Sequence, residues 1–103
     1  MSPYIMPGLL TIDEIIAQVF KIEKKSLFSK TRIKPTPEAR QFGMWYRNKY
    51  NKQSLVESAR HYNRDHSTAI FACRTVKNLI YTDSIFREKA QRALLMLEQI
   101  KQN

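Results

Sequence analysis

The chain has 103 residues, 43% hydrophobic and 26% charged, with 18 Lys+Arg against 9 Asp+Glu and a formal net charge of +9. That length supports one core and one domain, not a catalytic domain joined to a binding domain. Two glycines, Gly8 and Gly43, are too few for a glycine-rich phosphate cradle or a dinucleotide finger, and the lone Cys73 closes no internal disulfide.

The charge is concentrated. Residues 21–52 hold ten bases and two acids, so +8 of the +9 falls in about a third of the chain. A local field of this kind attracts polyanions, with nucleic acid foremost; an ordinary solvated surface is the plain alternative. A membrane face is disfavoured, because the basic stretch carries prolines and no wide apolar side. No apolar run approaches the roughly 20 residues of a membrane span, and Met1–Leu10 has no basic leader region, so a cytoplasmic protein is expected.

Residues 1–10 contain Pro3, Pro7 and Gly8 and read as a loosely ordered arm. The domain is expected over 11–103. Thr11-Ile12-Asp13-Glu14 is a capping box, and Ile12, Ile15, Ile16, Val19 and Phe20 behind it form one apolar helical stripe. A short turn of helix is expected around Glu23–Phe28, anchored by Leu27 and Phe28. Residues 29–36 form a basic loop, since Pro35 disfavours helix at Lys34. Thr36 then caps a helix with Pro37 at its first position, running to about Tyr50. Ala39, Phe42, Trp45, Tyr46 and Lys49 mark its broad face, and Gly43 weakens it slightly.

Ser54-Leu55-Val56-Glu57 is a second capping box and opens a short helix to about Tyr62. Asn63-Arg64 breaks that helix, because asparagine readily takes the left-handed conformation of a tight turn. Asp65 caps the next helix, with Ala69, Ile70, Cys73, Val76 and Ile80 on one side. After a break at Thr82-Asp83-Ser84, the last helix buries Phe86, Ala90, Ala93, Leu94, Leu97 and Ile100. No period-two stretch appears. The expected fold is all-α, a small multi-helix bundle with a helix-turn-helix at about 54–81.

In a helix-turn-helix the second helix enters the major groove and its first residues meet base edges. Here those are Asp65, His66, Ser67 and Thr68. Asp65 can accept from a cytosine amino group. His66 offers a ring edge and an N–H. Ser67 and Thr68 donate or accept, and the Thr68 methyl suits a thymine methyl. A plain helical hairpin is the bland alternative. At these residues the sequence resembles a known family. Arg64-Asp65-His66-Ser67-Thr68, followed by Ala72-Cys73-Arg74, resembles the signature of the C-terminal, DNA-binding domain (domain IV) of the bacterial chromosomal replication initiators of the DnaA family. Ile15–Phe20, Ser29-Lys30-Thr31-Arg32, Arg40-Gln41 with Met44 and Tyr46, and Ser54-Leu55-Val56-Glu57 are similar to further segments in the same order. The resemblance runs from about Thr11 to Gln99, as if this domain stood alone without the family's nucleotide-binding domain.

The resemblance implies recognition of A·T-rich, DnaA-box-like double-stranded DNA in replication initiation or its regulation. It places Asp65, His66, Ser67, Thr68 and Val56 on bases in the major groove. It sends Arg32, with Lys34 nearby, into the minor groove. It makes Arg40 and Gln41 phosphate contacts, and Lys30, Arg47, Lys49, Ser54 and Arg64 are expected to meet phosphates with them. DnaA itself or another replication protein is a second expected partner. No cofactor, nucleotide or membrane is implied.

Three departures from the family stand out. The turn before Arg64 is one residue shorter and has no glycine, which predicts an altered turn angle. Ala69 replaces a valine and trims core volume. Thr31 and Ile33 stand where the family is often basic, which predicts a weaker minor-groove grip. Phe42, Trp45, Tyr46 and Phe71 suggest a stacking platform, but their helical spacing reads better as core. His61, His66 and Cys73 fit no zinc spacing, and Cys73 reads as a small buried hydrophobe. His66-Ser67 is no nucleophile–base pair, since helix neighbours point about 100° apart. No enzyme is expected. The alternative function is a protein-interaction or non-specific DNA-binding module that has lost box recognition.

Overall fold

A computed structural model describes residues 10–101. The expected arm at 1–10 lies outside the described residues except for Leu10, which is half-buried and packs on the core. Five α-helices are described: α1 (Ile12–Phe20), α2 (Thr36–Lys49), α3 (Leu55–His61), α4 (His66–Thr82) and α5 (Ser84–Lys101), with a 3-10 turn at Lys24–Phe28 between α1 and α2. The all-α bundle with a helix-turn-helix is as the sequence predicts.

Local chemistry sets most boundaries. At the α1 start, Thr11 Oγ1 accepts from the Glu14 N–H at 3.1 Å and Glu14 Oε1 accepts from the Thr11 N–H at 2.8 Å. Both halves of the capping box are therefore made. Lys21, at φ 59°, ends α1 in the left-handed region, and Ile22 N–H returns to the Ala17 carbonyl at 3.0 Å. The α2 start differs by one residue from the sequence reading. Thr36 is not the cap but the first helical residue, and it is buried. Its N–H is donated back to the Ile33 carbonyl at 3.1 Å, which begins the winding earlier and puts Pro37 second. Asp83 separates α4 from α5, and its Oδ1 accepts from the Ile85 and Phe86 N–H groups, both at 3.0 Å.

The α1 stripe packs against α2 and α5, while α4 sits centrally against α2, α3 and α5. Phe20 is the hinge of the core, with ring centroids 5.9 Å from Phe42 and 6.0 Å from Phe86. Aromatic pairs at this separation add to the burial of their area. Ala69, Ala72 and Val76 are fully buried on α4. Two alanines in that stripe let α4 approach its neighbours closely. Two expectations fail on the same helix. Ile70 is 37% exposed and Phe71 is 58% exposed, because the buried stripe is centred on Ala69 and Ala72 rather than on their successors. Leu94 and Ile100 are half-buried, not buried, and Lys49 is exposed.

A buried polar cluster joins three helices. Asp13 on α1 is 4% exposed and Arg47 on α2 is 7% exposed. Arg47 Nη2 donates to Asp13 Oδ2 at 3.1 Å, and Tyr62 Oη donates to Asp13 Oδ1 at 2.6 Å. His61 Nε2 lies 2.5 Å from the same Asp13 Oδ2. Burial, and then the Asp13 charge beside it, push the Tyr62 phenol well above its ordinary range, so it remains a proton donor.

This cluster explains Gly43, which the sequence marked only as a weak helix residue. A Cβ placed on Gly43 would lie 2.2 Å from Tyr62 Oη and 2.7 Å from its Cζ. The ring cannot swing away without leaving Asp13 and Arg47. Gly43→Ala should therefore lower the unfolding free energy by about 1–3 kcal/mol, despite alanine's better helix propensity. Urea denaturation followed by far-UV circular dichroism measures this, and an unchanged or higher midpoint would refute the close approach.

Candidate nucleic-acid interface

The helix-turn-helix is built by local bonds. At the α3 start, Ser54 Oγ accepts from the Glu57 N–H at 3.0 Å and Glu57 Oε1 accepts from the Ser54 N–H at 2.8 Å. At its end, Asn63 adopts φ 61°. Arg64 N–H reaches the Ala59 carbonyl at 2.9 Å and Asn63 N–H reaches the Arg60 carbonyl at 3.0 Å. These two bonds form a Schellman closure, in which asparagine serves where glycine is commoner. The shortened turn therefore closes tightly without glycine.

Asp65 then starts α4. Its Oδ1 accepts from the Thr68 N–H at 3.0 Å, the Thr68 hydroxyl at 2.9 Å and the Ser67 hydroxyl at 2.9 Å. All three bonds fall on one oxygen. Chiefly the Thr68 N–H, and then the two hydroxyls, hold the Asp65 carboxyl below the ordinary carboxylate range. Both hydroxyls give their protons to Asp65, so what they keep for a base edge is lone pairs. Asp65, His66 and Ser67 are exposed, and Thr68 is half-buried.

The basic loop is clamped at its base. Arg40 donates through Nε to the Leu27 carbonyl at 2.8 Å and through Nη2 to the Ser29 carbonyl at 2.9 Å. Arg64, in the helix-turn-helix turn, donates through Nη2 to the same Ser29 carbonyl at 2.7 Å and through Nη1 to the Tyr62 carbonyl at 3.0 Å. One carbonyl thus ties the loop to α2 and to the turn before α4. Burial, with the Arg64 charge as a lesser cause, lowers the Arg40 guanidinium from its ordinary value, which is high enough that it stays charged. Beyond the clamp, Lys30, Arg32, Ile33 and Lys34 are exposed.

Three expected phosphate contacts have guanidinium donors engaged inside the protein. Arg40 is 6% exposed, with its donors spent on loop carbonyls. Arg47 is spent inside the protein on Asp13 and Tyr62. Arg64 is half-buried and holds the turn to the loop. Each is an arginine whose fork found internal carbonyl or carboxylate oxygens within reach. Lys30, Lys49 and Ser54 are exposed, Gln41 is half-buried, and Val56 is 40% exposed. Glu57 sits on the Ser54 N–H, which puts a negative charge beside that hydroxyl. Two residues outside the expected contact set also face solvent on α4. Phe71 and Arg74 are exposed at four and seven positions beyond Ser67, on the same side of α4. Their helical spacing from Ser67 was the available signal.

The start of α4 and the base of the cationic loop are joined through Arg64, which precedes Asp65 and donates to the Ser29 carbonyl. A family model matches the part of the chain that holds the helix-turn-helix. The "Bacterial dnaA protein helix-turn-helix" family covers residues 10–76. The chain belongs to that family. It is 36% identical over 78 residues to the chromosomal replication initiator protein DnaA of Flavobacterium psychrophilum, which covers 75% of this chain and 16% of that protein. It is 33% identical over 93 residues to the DnaA protein of Wolbachia pipientis, covering 86% of this chain and 20% of the relative. The DnaA protein of Bacteroides thetaiotaomicron is 30% identical over 94 residues, again covering 87% of this chain and 20% of its own length. The chain thus spans about a fifth or less of the DnaA proteins it matches. Among the described residues no helix is long and apolar enough to cross a membrane, and no three His, Cys, Asp or Glu side chains group as metal ligands.

The lowered Asp65 carboxyl fixes a sign for pH. A depressed folded pKa contributes stability that is fully present above the ordinary carboxylate pKa and is lost as pH falls through the folded value. Asp65→Ala should lower the melting temperature at neutral pH, and the gap from the wild type should shrink as the pH drops through the carboxylate range. Thermal melts at a series of pH values read this directly; a gap that does not change with pH would contradict the capping role.

Proposed function

We propose that this DnaA-family chain binds double-stranded DNA sequence-selectively, at DnaA-box-like A·T-rich sites, in replication initiation or its regulation, and so works at the nucleoid. The observation that carries the reading is the shared Ser29 carbonyl. Through Arg40 and Arg64 it sets the cationic loop beside the start of α4. A duplex lying on α4 in its major groove would meet the loop in an adjacent minor groove.

Roles follow from chemistry. Asp65 accepts from a base amino group, while Ser67 and Thr68 offer lone pairs to the same kind of donor. His66 supplies the ring N–H, and Val56 the apolar contact with a thymine methyl. Arg32, with Lys34 behind it, is drawn to the negative potential of a narrow A·T minor groove. Lys30, Lys49, Gln41 and Ser54 meet phosphates and set orientation rather than sequence. DnaA or another replication protein is a second partner in this reading. A specific observation favours a competing one. Ile70, Phe71 and Tyr81 are exposed on α4 and line an open groove with Leu55 and Leu79, which suits a protein partner instead.

The two readings separate in a fluorescence-anisotropy titration. A duplex selected from random sites should bind tightly, with affinity falling as salt rises by a log–log slope of about 0.9 per phosphate met. His66→Ala should cost about 1–3 kcal/mol on the selected duplex and little on a scrambled one. Equal losses on both duplexes would remove the base-reading role, and no binding to either would favour the protein-docking reading.

A further inference from the structure

The tip of the basic loop holds a residue that a purely electrostatic contact does not explain. Ile33 is 77% exposed, between two exposed cations, Arg32 and Lys34. A large aliphatic side chain held there has apolar area that a partner can remove from water. Its place is fixed. Its N–H donates to Thr31 Oγ1 at 3.3 Å, and its carbonyl accepts from the Thr36 N–H at 3.1 Å. The segment is anchored on one side by the Ser29 carbonyl and on the other by the start of α2. Isoleucine is also stiff at χ1, so little side-chain freedom remains to be lost on contact.

We infer that Ile33 is an apolar wedge, carried by the two flanking cations into the minor groove, where it packs on the sugar walls and part-unstacks one base step. The inference rests on the duplex-binding reading above. It turns what the sequence marked as a lost positive charge into a different kind of contact. Charge complementarity selects the occupant, since the exposed Lys30, Arg32 and Lys34 put positive potential around the isoleucine and a duplex is a polyanion. Proteins that insert an aliphatic residue beside cationic ones in the minor groove bend the duplex toward the major groove. The step entered should be a flexible pyrimidine–purine one, such as the TA steps common in A·T-rich sites. The loop then selects sequence by deformability, at a position where no hydrogen bond reads a base.

The test uses the full chain and the duplex selected from random sites, with donor and acceptor dyes at the duplex ends. Two variants are compared with the wild type: Ile33→Ser removes the apolar body, and Ile33→Lys restores a cation. Because Ile33 is exposed, both should keep the wild-type far-UV spectrum. Ile33→Ser should bind roughly ten-fold more weakly, the loss expected for uncovering most of one aliphatic side chain, with an unchanged salt slope. The end-to-end shortening of the duplex should fall with it. Ile33→Lys should steepen the salt slope by about 0.9 while also losing the bend. Wild-type affinity and bending in Ile33→Ser would overturn the wedge alone, as would a bend retained in Ile33→Lys. A wild-type chain that binds no duplex would overturn the duplex-binding reading and the wedge together.

Discussion

Two guanidinium groups converge on one carbonyl oxygen, that of Ser29, and the shape of the candidate interface depends on it. Arg40 arrives from α2 and Arg64 from the turn between α3 and α4. Both are charged donors, so these bonds are stronger than ordinary amide ones. A loop of seven residues, 29–35, with one proline and no regular backbone pairing would otherwise sample many positions. Fixing its base beside the turn converts a run of cations into a surface with a defined direction. Like charges brought to one oxygen repel each other, and the carbonyl dipole together with the Leu27 and Tyr62 carbonyls offsets that repulsion.

The second constraint is the Asp13 carboxylate. It accepts from Arg47 and Tyr62 and meets His61, so one buried anion holds α1, α2 and α3 in register. A buried ion pair of this kind is not a strong source of net stability, because both charges lose their water. Its effect is on geometry. It brings the Tyr62 ring against Gly43, which allows α3 to lie close on α2, and α3 in turn carries the turn that ends in Arg64. The two clusters are therefore linked through a few residues of backbone. Disturbing Asp13 or Gly43 would shift the angle at which α4 is presented.

The surface that results divides its labour. Long arginines with internal partners act as struts, while exposed lysines and Arg32 are left to face solvent. At the start of α4, Asp65 accepts from the Ser67 and Thr68 hydroxyls and so fixes their orientation. Preorganisation of this type lowers the entropy lost on binding. Ile33 and Phe71 add exposed apolar surface, in the loop and on α4 respectively.

The sequence alone settled what depends on neighbours within a few positions. The capping boxes at Thr11 and Ser54, the left-handed Asn63 and the Asp65 cap are four-residue patterns, and each one closes as its spacing requires. The same holds for Ile15, Ile16, Val19 and Phe20 of the α1 stripe, and for the helix-turn-helix. Tertiary packing decided the rest. Arg40, Arg47 and Arg64 look like any other cations in a basic stretch, but their reach spans several ångströms, and only the assembled fold shows that oxygen acceptors lie within it. Gly43 reads as a mild defect until Tyr62 arrives from nineteen residues away. Phe71 reads as core until α4 is rotated by what packs on Ala69 and Ala72. Local patterns fix where helices begin and end because backbone hydrogen bonds are short. The fate of long side chains depends on contacts between distant segments, and those exist only once the chain has folded.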